Sequence, residues 1–80
     1  MMLVEVEIPA LWETFDFEVD EDVRVEEVII QMEQTIAQKK RMKPDGAEKY
    51  LYAMNQEQVL SGDKTLREQG VQAGETLLLI

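Results

Sequence analysis

The sequence predicts an α+β domain in which one helix packs on a mixed β-sheet, and three observations carry that reading. Residues 3–8 and 15–20 alternate apolar and acidic side chains with a period of two. Between residues 25 and 36 the apolar residues Val25, Val28, Ile29, Met32 and Ile36 recur at spacings of three and four, the stripe of an amphipathic helix. The period of two then returns around Leu51 and Ala53, and the sequence closes on Thr76-Leu77-Leu78-Leu79-Ile80. Strands, then a helix with one apolar stripe, then more strands require the stripe to be buried against one face of the sheet.

The elements follow in order. Val4, Glu5, Val6, Glu7 and Ile8 make a strand with one buried face, interrupted by Pro9, which cannot donate to a ladder. Phe15, Asp16, Phe17, Glu18 and Val19 repeat the alternation, so the two segments form a β-hairpin. Asp20-Glu21-Asp22 breaks the strand and offers an N-cap to the helix that follows. Glu26 and Glu27 lie early in that helix and Lys39, Lys40 and Arg41 late, as the macrodipole favours, and the helix should end at residues 41–43, before Pro44. Pro44-Asp45-Gly46 signals a turn. A strand should begin at Lys49 or Tyr50, turn at Asn55-Gln56-Glu57 and return through residues 58–60. Thr65 and Gly70 bound a single helical or 3₁₀ turn, and residues 76–80, apolar without a break, read as a central strand.

The order is therefore ββαββ, a short 3₁₀ turn, then β, which is the β-grasp arrangement. Its expected core is Val4, Val6, Phe15, Phe17, Val19, Val25, Val28, Met32, Leu51, Leu60, Leu66, Val71, Leu77 and Leu79. Eighty residues make one domain, 1–80, and a composition of 45% hydrophobic and 31% charged residues is that of a chain that folds alone.

Composition also narrows function. There is no cysteine and no histidine, so neither the usual zinc ligand sets nor a Ser-His or Cys-His nucleophile pair is available, and the chain is expected not to be an enzyme. No catalytic, cofactor-binding or metal-ligating residue is assigned. Asp20-Glu21-Asp22 lacks the spaced ligands and glycine of a calcium loop, and Ser61-Gly62-Asp63-Lys64 opens no glycine-rich phosphate loop. The start of the sequence has no basic segment before an apolar one, and eighteen apolar residues never run together, which predicts a cytoplasmic protein without membrane insertion. A net charge of −9 disfavours nucleic acid and anionic membranes and leaves protein as the expected partner. Residues 1–38 hold eleven acids and only Arg24 as a base; the bases Lys39, Lys40, Arg41, Lys43 and Lys49 cluster where the helix ends.

The spacing of Leu60, Asp63, Thr65-Leu66, Val71, Gly74-Glu75 and Thr76-Leu77-x-Leu79 resembles the C-terminal half of ubiquitin. Within that superfamily, the near-eighty-residue length, Val59-Leu60-Ser61-Gly62 and Gly70-Val71-x-x-Gly74-Glu75-x-Leu77 resemble the bacterial YukD-type proteins, which accompany WXG100 (ESX, or type VII) secretion systems of Gram-positive bacteria. The resemblance implies a small cytosolic accessory whose partner is a secretion ATPase or a membrane component. The sequence ends on Leu78-Leu79-Ile80 with no Gly-Gly, so a non-conjugating adaptor is expected. The alternatives are a modifier or sulfur carrier whose Gly-Gly tail is missing from this sequence, or a ubiquitin-like structural domain of a larger protein.

The expected protein-binding residues follow from strand parity. If Leu77, Leu79, Leu51 and Ala53 face the helix, then Leu78, Ile80, Tyr52 and Met54 share the opposite face of the sheet. By resemblance, Met54 and Ile80 fall at the two strand positions of ubiquitin's recognition patch, and Leu78 makes this face more apolar. Trp12, the single Trp, lies in the first hairpin loop, where it either projects at the margin of the face or folds back to lid the core. Intramolecular cover, a register shifted by one, and homodimerisation through this face are the competing expectations.

Overall fold

The computed structural model describes residues 1–43 and 46–80. The turn expected at Pro44-Asp45-Gly46 lies, but for Gly46, outside the described residues. The chain forms β1 (Met2–Ile8), a 3₁₀ turn (Pro9–Leu11), β2 (Glu13–Val19), α1 (Val25–Lys40), β3 (Leu51–Ala53), β4 (Gln58–Val59) and β5 (Thr76–Leu79). The strands make one sheet in the order β2-β1-β5-β3-β4, with β1 and β5 parallel and every other pair antiparallel. This is the ubiquitin-like β-grasp fold, with the last strand inserted at the centre.

Helix α1 buries Val25, Val28, Ile29, Met32, Ile36 and Ala37. They meet Val4, Val6 and Ile8 of β1, Leu51 and Ala53 of β3 and Leu77 and Leu79 of β5, while Leu60, Leu66 and Val71 close the core from the loops. Twelve of the fourteen expected core residues are buried, and the two that differ share a cause. Phe15 and Phe17 are only half-buried, because β2 is an edge strand and the helix covers it incompletely. Their rings stand 6.1 Å apart, and the Lys39 ammonium caps the Phe15 ring at 5.4 Å from its centroid.

The helix start also corrects the sequence reading. Arg24 occupies the N-cap position and no side chain caps the helix. The orphan donors are met by backbone from a distant loop: Val25 N–H donates to the Lys64 carbonyl at 2.9 Å and Glu26 N–H to that of Gly62 at 3.0 Å. Asp20 instead accepts from Asp22 N–H at 2.9 Å. Asp22 is committed to Arg67, whose Nε and Nη2 reach its two carboxylate oxygens at 2.6 and 3.1 Å.

The segment that carries those carbonyls is itself tied down. Thr65 and Glu68 form a capping box, each side chain accepting the other's backbone N–H at 2.9–3.0 Å. The Gln69 amide donates to the Ser61 carbonyl at 2.9 Å and accepts from Ser61 N–H at 2.7 Å. The turn closes with Val71 N–H on the Leu66 carbonyl and Gly70 N–H on that of Arg67, both at 3.1 Å, and Gly70 takes the left-handed φ of +75° that this closure needs. Helix α1 ends in the same way at Arg41, with Met42 N–H bonded to the Ala37 carbonyl.

Candidate protein-docking face

Strand parity on β3 and β5 is as the sequence predicts. Leu77 and Leu51 are fully buried under α1, whereas Leu78 and Tyr52 between them are half-buried and face away from it. The register sets Tyr52 opposite Leu78 on one side and opposite Val59 of β4 on the other, so three outward side chains form a row across three strands. Ile80 lies opposite Tyr50, with which it exchanges both backbone hydrogen bonds at 2.7 and 2.9 Å. Met54 follows at the other end of β3, its N–H on the Thr76 carbonyl at 3.2 Å. Ile80 and Met54 are 48% and 43% exposed, too open to be core.

Four of the five expected site residues, Tyr52, Met54, Leu78 and Ile80, thus share one half of one face. Trp12 does not join the row. It is 95% exposed at the apex of the β1–β2 hairpin, with a left-handed φ of 55° and its N–H on the Pro9 carbonyl at 3.2 Å. Because β1 and β5 run parallel, Trp12 stands at the same end of the sheet as Ile80, but on the edge hairpin.

The structure adds two residues to the row. Tyr50 has the parity of Tyr52 and could have been read from it. Val59 needed the register of the 53–58 turn, where Glu57 takes a left-handed φ of 53°, and alternation alone does not give it. The Glu48 carboxylate hydrogen-bonded to the Tyr50 phenol raises its pKa above the ordinary value of 10.0.

Across β1 the face changes character. Glu7 neighbours Leu78 and Glu5 neighbours Thr76, whose hydroxyl donates to the Glu5 carboxylate at 3.3 Å. On β2, Asp16 stands opposite Glu5 and Glu18 opposite Leu3. One half of the face is therefore apolar and the other, apart from Leu3 and Thr14, acidic.

A concavity of about 700 Å³ is lined by Ile29, Ile30 and Glu33 of α1 and reaches Tyr50 and the edge-strand residue Val59. Its wall also carries Glu26, Glu48 and Asp63. Among the described residues, no three His, Cys, Asp or Glu side chains converge to hold a metal ion, and no helix is long and apolar enough to cross a membrane.

No curated protein matches the chain. The model of the family described as WXG100 protein secretion system (Wss), protein YukD, matches residues 3–79, nearly the whole sequence and, but for Met2, every strand and helix described above. The chain belongs to this YukD family, ubiquitin-like proteins of the WXG100 secretion system.

Proposed function

We propose that this protein is a non-conjugating, non-catalytic adaptor of the cytoplasm that docks on a component of the WXG100 machine through Tyr52, Leu78, Ile80 and Met54. Trp12 serves as a contact at the margin. The partner is the secretion ATPase or the cytoplasmic part of a membrane component. One observation carries the reading: the outward row Val59-Tyr52-Leu78 is apolar although its inward neighbours Leu51 and Leu77 already supply the core. Contiguous apolar surface of this kind on a single small domain usually marks an interface. Tyr52 at its centre adds the large contact area of an aromatic ring with a polar tip.

The test is affinity capture from the cytosol of the source cell with wild type and Leu78→Asp, read by mass spectrometry. Recovery of secretion ATPase or membrane components by wild type alone supports the reading. Equal recovery by both proteins moves the interface off this face. Covalent adducts of higher mass would establish a modifier instead, and a protein that sediments as a dimer in wild type but not in Leu78→Asp would make the face a self-interface.

A further inference from the structure

We infer that the partner surface fitting this sheet face is apolar on one side and lysine- or arginine-rich on the other, so that a cationic protein segment crosses from β3 and β5 onto β1 and β2. The inference rests on the docking role proposed above and names the chemistry of the occupant.

The outward acids of the sheet, Glu5, Glu7, Asp16 and Glu18, lie on two adjacent strands. None of the five strands contains a lysine or arginine, and among the described residues none of these four acids forms an ion pair. Four of the eight bases are engaged elsewhere: Lys40 holds Glu13 and Lys39 covers Phe15 on the helix side, Arg67 holds Asp22 and Arg24 reaches Glu26. Acids on an edge strand have an ordinary explanation, since they discourage edge-to-edge aggregation, and that accounts for Asp16 and Glu18 on β2. It does not account for Glu5 and Glu7, because β1 lies inside the sheet between β2 and β5. Glu5 also stands directly opposite Asp16, and like charges so placed destabilise a sheet. The fold thus keeps an unneutralised carboxylate cluster beside its apolar row, with Glu7 against Leu78 at the seam.

A segment carrying leucine-like side chains over Tyr52 and Leu78 and cations over Glu5 and Glu7 satisfies both halves at once. A second copy does not: it brings another −9 charge and the same acidic half.

The test is a ¹⁵N NMR titration of the full chain with three synthetic nine-residue peptides, one of leucines flanked by lysines, one of leucines flanked by glutamates, and one of serines flanked by lysines. The expected result is saturable shifts at residues 5, 7, 52 and 78 with the leucine–lysine peptide only. That affinity should fall about tenfold in a Glu5→Gln/Glu7→Gln variant and again as salt shortens the screening length. Both substitutions are on the open face, and the variant should be no less stable than wild type. Equal binding of the leucine–glutamate peptide at residues 52 and 78 overturns the charge inference and leaves the docking role standing. Failure of both leucine peptides to perturb β3 and β5 overturns the docking role. Binding of the serine–lysine peptide as tightly as the leucine–lysine one reduces the effect to bulk charge and overturns the inference. Concentration-dependent shifts on this face without peptide make a second copy the occupant, which also overturns it.

Discussion

Leu77 and Leu78 are adjacent on β5 and differ in almost nothing but the face they occupy, so their alanine variants separate core from the proposed docking surface. Leu77 is 0% exposed and faces Val6 of β1 and Ala53 of β3 beneath α1. Truncating such a leucine removes its transfer energy and leaves a cavity, together about 2–5 kcal/mol. A chain of 80 residues has roughly 4–12 kcal/mol of stability in total, at about 0.05–0.15 kcal/mol per residue. Leu77→Ala should therefore forfeit about a sixth or more of the fold's stability and lower the melting temperature by about 8 °C or more, at ~4–8 °C per kcal/mol for a domain this size. Leu78→Ala removes the same atoms from the open face, where water already reaches them, and should cost about 1 kcal/mol or less. Urea unfolding followed by far-UV circular dichroism reads both. Trp12 fluorescence would be a poor reporter, because the ring is as exposed in the folded state as it can be. Equal losses for the two variants would mean that Leu78 is covered within the molecule, and the docking face would be lost with it.

Three further outcomes follow from the loop that supports the helix. Gly70→Ala should cost about 1 kcal/mol in a thermal melt, because φ is +75° while the nearest atom to the added Cβ, Gln56 Nε2, lies at an ordinary 3.8 Å; no loss would contradict the left-handed closure. Gln69→Ala leaves the Ser61 N–H and carbonyl without their amide partner and should cost roughly 1–2 kcal/mol, with faster hydrogen exchange at residues 25 and 26 as the loop that caps α1 loosens; unchanged exchange would show that the loop holds itself. The Arg67 guanidinium hydrogen-bonded to Asp22 lowers the carboxyl's pKa below its usual 3.8, so this ion pair stabilises the fold above that value and loses its contribution as pH falls through the lowered one. Urea midpoints of Arg67→Ala should accordingly fall less steeply than wild type below pH 4, and parallel curves would refute the assignment.

What could be read from the sequence was whatever is encoded by local periodicity. The alternation of β1 and β2, the stripe of α1 and the parity of β3 and β5 each depend on neighbours within a few residues, and each was legible. Depth and long-range partners were not. Phe15 and Phe17 have the parity of core residues, yet how deeply they sink depends on where the helix crosses the sheet, and it leaves the β2 edge partly bare. Asp20 and Asp22 sit where an N-cap is expected, but Arg67, 45 residues further along, takes Asp22, and carbonyls of Gly62 and Lys64 take the helix donors. The apolar half of the site was visible by parity. The acidic half was visible only as scattered glutamates and aspartates, until the β1–β2 and β1–β5 registers brought Glu5, Glu7, Asp16 and Glu18 onto the face of Leu78.

The central claim, that this protein meets its partner through the outer face of β3 and β5, is tested most directly by site-specific photocrosslinking in the source cell. A benzophenone amino acid would replace Tyr52 on the docking face in one strain and Ile30, which is 53% exposed on the helix side, in another. Irradiation should yield a covalent product with a component of the secretion machine from position 52 and none from position 30. A product from position 30 alone would place the interface on the helix groove and contradict the account.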